Sequence, residues 1–218
     1  PCPIQRFPLA ASGVVVPTWT LNADSDINAM LMDGNSLFVG GGFWHLGGQE
    51  RRTIAKIANA TTGILDPTWI PQRWSYATLA LLSRGDGEIV VAGEADGEDD
   101  RELFRLDSST GAENLQWQPW QSMYGVWNGV FAMTLLPDSK LYLADEYGGI
   151  TRTVPAGPTV GVEPAWRVPV VGRTHTLIAL GPSELLLAGN FTQVDGQPRF
   201  GLARLLDVNP VLFVDQFE

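Results

Sequence analysis

Pro67-Thr68-Trp69 has near copies at Pro17-Thr18-Trp19, Leu115-Gln116-Trp117 and Pro164-Ala165-Trp166, so a tryptophan in a similar setting recurs at intervals of 50, 48 and 49 residues. A second series keeps the same period. It runs through Phe38-Val39-Gly40-Gly41-Gly42-Phe43, Val90-Val91-Ala92-Gly93-Glu94-Ala95, Tyr142-Leu143-Ala144-Asp145-Glu146-Tyr147 and Leu186-Leu187-Ala188-Gly189-Asn190-Phe191. A third series sets one cation inside a short apolar strand: Ile54-Ala55-Lys56-Ile57, Leu103-Phe104-Arg105-Leu106, Ile150-Thr151-Arg152-Thr153 and Leu202-Ala203-Arg204-Leu205, with Ile4-Gln5-Arg6-Phe7 as a fifth member. The order of the three series is the same in every unit, which is the mark of a tandem repeat.

Ahead of each Gly-containing segment lies another apolar run, at residues 27–32, 78–82, 131–136 and 176–180. Turn signals separate the two: Asp33-Gly34-Asn35, Arg84-Gly85-Asp86-Gly87, Pro137-Asp138-Ser139 and Gly181-Pro182-Ser183. Each unit therefore reads strand, tight turn, strand, loop, cation-bearing strand, turn and a short Trp-bearing strand, and none of these is long or periodic enough for an amphipathic helix. Four short antiparallel strands form a sheet that is apolar on both faces and must stack on neighbours. The expected fold is all-β: a β-propeller of about four four-stranded blades from ~50-residue repeats, with extra terminal strands. One domain over 1–218 is expected, with units near 17–66, 67–114, 115–163 and 164–218 and a partial unit at 1–16. Gly41, Gly93 and Gly189 fit places where backbones crowd or a strand bends.

The last unit, through Leu185-Leu186-Leu187-Ala188-Gly189-Asn190-Phe191-Thr192, Val194-Asp195-Gly196-Gln197-Pro198-Arg199 and Leu202-Ala203-Arg204-Leu205, resembles the delta-60 repeats found in tandem in bacterial extracellular proteins. The first unit echoes the pattern at Gly47-Gly48-Gln49-Glu50-Arg51 and Thr61-Thr62-Gly63. The second and third depart from it: residues 94–100 replace the Asn-Phe-Thr stretch and its Gly-Gln-x-Arg sequel, and Asp145 takes the glycine position. The resemblance implies a propeller-like fold, a secreted or cell-surface bacterial protein, and no shared catalytic residues.

Composition narrows the partners. A net charge of −10 argues against a sequence-independent grip on nucleic acid or anionic lipid. No apolar run approaches the ~20 residues of a membrane-spanning helix. The start at Pro1, without Met, leads to the expectation of a processed and exported product. A single cysteine, Cys2, rules out an internal disulfide framework and leaves a free thiol or an intermolecular bridge.

Both ends present strands without a full set of neighbours, and an open strand edge is a template for strand addition. Cys2, Ile4, Phe7, Leu212, Phe213, Val214 and Phe217 are the residues through which end strands would either close a ring or join another copy. Trp74, Tyr76, Trp120, Tyr124 and Trp127 crowd one region, where flat rings with a polar edge suit the faces of sugars; packing between blades is the plainer use of the same rings. Lys56, Arg105, Arg152 and Arg204 could ring an anion, but pairing with carboxylates or carbonyls between blades is simpler.

Chemistry beyond binding finds little support. His45 and His175 lack a metal-ligand or catalytic motif around them, and no nucleophile elbow or phosphate loop is present. No cofactor is expected. The acidic run Glu94, Asp96, Glu98, Asp99 and Asp100 could offer oxygen to Ca²⁺ but lacks the spacing of a Ca²⁺ loop, and the alternation at Asp24-Ser25-Asp26-Ile27-Asn28 reads equally as turn capping. The expected function is a secreted, non-enzymatic structural or interaction module that self-assembles through its end strands. A carbohydrate-binding module is the first rival. The second is a hydrolase or lyase, its site drawn from Asp145, Glu146, His45 or His175.

Overall fold

The computed structural model describes residues 2–6, 19–94, 103–117, 129–145, 148–153, 162–206 and 212–213. Every regular element among them is a β-strand. The chain enters through β1 (Cys2–Gln5) and β2 (Thr20–Ala23). A first meander follows: β3 (Ile27–Asp33), β4 (Ser36–Gly41), a small hairpin of β5 (His45–Leu46) and β6 (Gln49–Glu50), then β7 (Ile54–Asn59) and β8 (Ile64–Leu65). The second is β9 (Ala77–Ser83), β10 (Glu88–Glu94) and β11 (Leu103–Asp107), with a bridge from Leu106 to Glu113 in place of a fourth strand. The third holds β12 (Val130–Leu135), β13 (Leu141–Asp145) and β14 (Gly149–Thr153). The 20-residue β15 (Val162–Gly181) pairs first with β14 and then with β16 (Glu184–Val194), which continues through β17 (Gln197–Pro198), β18 (Leu202–Leu206) and β19 (Leu212–Phe213) as the fourth.

The four sheets run β1-β2-β5-β6, β3-β4-β7-β8, β11-β10-β9 and β12-β13-β14-β15-β16-β18-β19, with β17 paired to β16. The four turns anticipated from Gly, Asp and Pro join β3 to β4, β9 to β10, β12 to β13 and β15 to β16. Contacts divide the chain into two compact units, Pro1–Val91 with Arg105–Glu113 and Ala92–Phe104 with Asn114–Glu218.

Repeat equivalence extends to single pairings. Ile4 of β1 faces Leu21 as Ile150 of β14 faces Val168, so β1 occupies the place of a cation-bearing strand ahead of the first meander. The β5–β6 hairpin and its counterpart in the fourth meander are held alike. Arg51 N donates to Trp44 O as Arg199 N does to Thr192 O, and Thr53 N donates to Phe43 O as Gly201 N does to Phe191 O. Gly41 and Gly189 sit opposite bulges in β3 and β15, where a Cβ would come within 2.0 Å of Asp26 O and 2.1 Å of Arg173 O, so a side chain at either would push two strands apart.

The tryptophan falls outside the expected fourth strand in the first two meanders. That strand is formed instead by the short segments ahead of Trp69 and Trp117, at Ile64–Leu65 and Glu113. The reason is local. Asp66 Oδ1 accepts from Thr68 N, the Thr68 hydroxyl and Trp69 N, and this side-chain capping turns the backbone out of the ladder. The indole of Trp69 then lies edge-on to Phe38 of the first meander, 5.2 Å between centroids, while its N–H donates to Asp107 O in the second at 3.2 Å. Trp19 donates likewise to Ala60 O at 2.8 Å, and Gly63, at φ +72°, leaves room for its ring. Trp166 stands edge-on to Tyr142.

Each repeated cation ends on an acceptor. Lys56 Nζ donates to Ser108 O and lies 3.6 Å from Asp66; Arg105 pairs with Glu88, Arg152 with Glu163 and Arg204 with Glu184. Burial, then the nearby Arg84, lowers the Arg105 guanidinium to about 10, which leaves it charged at neutral pH. These cations are structural ties.

Cross-strand ladders show which faces neighbours seal. In the fourth meander the ladder Ala29–Gly40–Ile54 becomes Thr176–Ala188–Leu202, and in the third Ala132–Ala144–Ile150. Ile54 and Ile150 are 2% and 0% exposed, whereas Leu202 is 42% exposed. On the opposite face, Met30, Met133 and Leu177 share one register position. Leu177 is buried among Tyr142, Ala144 and Ile150 of the third meander, and Met133 is buried too, whereas Met30 is 60% exposed. The burial of Leu177 comes from stacking of the fourth meander on the third.

Candidate binding surface

The β5–β6 hairpin carries side chains that its backbone does not need. Asp24, just beyond β2, clamps the hairpin by accepting from Trp44 N at 2.9 Å and His45 N at 3.1 Å through Oδ1, and it meets His45 Nδ1 at 2.8 Å through Oδ2. The His45 backbone N–H, and then its ring, hold the Asp24 carboxyl down at about 2. The clamp fixes His45 with Nε2 turned away from Asp24. Next to it, the Arg52 guanidinium lies 4.8 Å from the Trp44 ring centroid and 5.2 Å from that of Trp74, a cation held between two indoles. Its Nε donates to Glu50 Oε1 at 3.1 Å. Trp44 is 53% exposed and the Arg52 side chain 40%, so the stack stands in solvent.

The fourth meander supplies the comparison. At the same hairpin positions it carries Thr192 and Gln193 where the first has Trp44 and His45, Pro198 for Glu50, and Phe200 for Arg52. The backbone hydrogen bonds are the same in both. The aromatic, cationic and imidazole groups are therefore not required by the hairpin.

The residues singled out in the sequence fall as follows. Trp74 is half-buried and joins the stack; Tyr76 is exposed; Trp120, Tyr124 and Trp127 lie outside the described residues. Cys2 is half-buried with Sγ 3.9 Å from Asp26 Oδ1, and Ile4 is buried in the first core cluster with Trp19 and Val39. Leu212 and Phe213 pair with Leu206 and Leu205, while Phe7, Val214 and Phe217 lie outside the described residues. His175 is exposed beside a bulge of β15, in the other compact unit from His45. Asp145 is buried and held by Arg167 through two bonds of 2.8 and 3.1 Å; Glu146 lies outside the described residues. Of the acidic run, Glu94 ends β10 and Asp96–Asp100 fall outside. Asp24 serves as the hairpin clamp and Asn28 donates to Thr78 O, so this stretch acts in turn and junction geometry. Among the described residues no group of three or more His, Cys, Asp or Glu is placed to hold a metal ion. Trp44 and Arg52 were not singled out in the sequence.

These features define an all-β protein of tandem antiparallel meanders. A family model described as a domain of unknown function (DUF5122) beta-propeller matches residues 84–111 and 184–206. Both stretches span the second and third strands of a meander, so the chain is similar to a propeller-type repeat family at equivalent places. No curated protein matches the chain. No helix among the described residues is long and apolar enough to cross a membrane, which says nothing of a β-barrel.

Proposed function

We propose that the chain is a secreted β-propeller module of the delta-60 type that works at the bacterial cell exterior by binding rather than by catalysis. Its meanders are the blades, and the first-meander hairpin is the surface it presents. One observation carries this reading: the same hairpin occurs twice with the same backbone bonds, and only one copy bears the exposed Trp44–Arg52–Trp74 stack. Side chains that a fold does not use, held in one geometry on a rigid scaffold, are available to a partner.

A direct consequence concerns stability. Trp44→Ala combined with Arg52→Ala removes an exposed stack and an exposed ion pair, so urea unfolding is expected to show a loss of no more than about 1 kcal/mol. A loss of the size seen for a core tryptophan would mean the stack is structural and would remove the reading.

A further inference from the structure

We propose that the Trp44–Arg52–Trp74 surface is a binding site for a neutral, pyranose-based glycan; this rests on the reading of the hairpin as a binding surface. A pyranose ring has an apolar face of C–H groups and a rim of hydroxyls, and the hairpin offers a partner for each. Trp44, more than half exposed, gives a flat indole on which the apolar face can stack. Arg52 is spent at Nε on Glu50, and its two terminal nitrogens have no protein hydrogen-bond partner among the described residues. Being pinned between indoles, the guanidinium loses little further freedom when those donors engage adjacent hydroxyls. Among the described residues Glu50 Oε2 has no hydrogen-bond donor, and His45, oriented by Asp24 through Nδ1, has Nε2 turned away from that clamp.

Charge selects the class of sugar. Arg52 is the cation of the stack, the Glu50 carboxylate is paired with it, and that of Asp24 is held on the neighbouring His45 of the same hairpin, on a chain of net charge −10. An acidic saccharide would bring its carboxylate against both, whereas a neutral one uses them as hydroxyl acceptors. An open, solvent-facing stack also suits a chain of sugar rings passing across it.

Tryptophan fluorescence titrations of the whole chain with cellohexaose, mannohexaose and hexagalacturonate test the assignment. At least one neutral hexasaccharide is expected to shift the emission saturably, with affinity falling about tenfold or more in Trp44→Ala and in Arg52→Ala. Binding only to hexagalacturonate, binding to none, or binding untouched by both substitutions would each overturn it. If neither variant loses stability and no glycan binds, the glycan assignment fails while the hairpin remains a binding surface for a protein partner. A large loss of stability in the variants would instead remove the reading on which it rests.

Discussion

Trp69→Ala is expected to lower the free energy of unfolding by about 3–5 kcal/mol, the range for deleting a fully buried large aromatic ring. Trp69 has no exposed surface and joins two meanders at once. The ring packs edge-on against Phe38 on one side, and its N–H donates to Asp107 O on the other. Removing it opens a cavity at the junction and takes one of two donors from the Asp107 carbonyl, which keeps Gly111 N at 2.9 Å. That turn is otherwise well held: Asp107 Oδ1 accepts from the hydroxyls and amides of Ser109 and Thr110, and the Ser109 hydroxyl above all keeps its carboxyl at about 2. Trp69→Phe separates the two contributions, since it retains a ring but no N–H; the lost hydrogen bond alone is worth about 1 kcal/mol. Urea denaturation of both variants reads the difference, and equal small losses would show that Trp69 does not join the meanders.

Arg167→Met should cost about 3 kcal/mol for a different reason. Asp145 occupies the position that is Gly41 in the first meander and Gly189 in the fourth, and its side chain is wholly buried. Arg167 meets it with two hydrogen bonds, and Gly149 makes room, since a Cβ there would fall 2.4 Å from the guanidinium. Removing the arginine leaves the buried carboxylate without its bidentate partner, a large penalty for a desolvated charge. Asp145→Gly together with Arg167→Met restores the residue of the other meanders and removes both charges, so the double variant should be more stable than Arg167→Met alone. A double variant as unstable as the single one would mean the cost lies in lost packing around Arg167.

Much of the fold is legible because tandem repeats write their architecture in period and punctuation. Tryptophan spacing, the four Gly, Asp and Pro turns, and the cation inside each third strand are local signals, and the structure keeps their order. Two features were less accessible. The Trp-bearing strand fails at Trp69 because one carboxylate, Asp66, captures three donors, a contest between side chain and ladder that propensity does not express. The second unit, which departs from the delta-60 pattern at residues 94–100, is nonetheless one of the two that the propeller model matches, at 84–111. The matched stretch runs from the β9–β10 turn through the cation strand to the Asp107 turn.

The binding surface was half legible. Trp74 and Tyr76 stand out as part of a run of aromatics close in sequence, a measure of density along the chain. The stack, however, is assembled from Trp44, Arg52 and Trp74, separated by as many as 30 residues. Local density cannot find such a group. Setting the two hairpins side by side could have, because Trp44, His45 and Arg52 replace Thr192, Gln193 and Phe200 within otherwise matched segments.

The account of stacked meanders, in which Leu177 of the fourth is buried with residues of the third while Met30 at the same register position of the first is exposed, is tested most directly by methionine oxidation. Met30 and Met133 share one register position on the first strand of their meanders, yet Met133 is buried and Met30 is not. Dilute native protein treated with hydrogen peroxide and read by peptide mass spectrometry should show Met30 and its neighbour Met32 forming sulfoxide at least about tenfold faster than Met133. Met30 as slow as Met133 would contradict the account, because Met30 would then be covered as Met133 is.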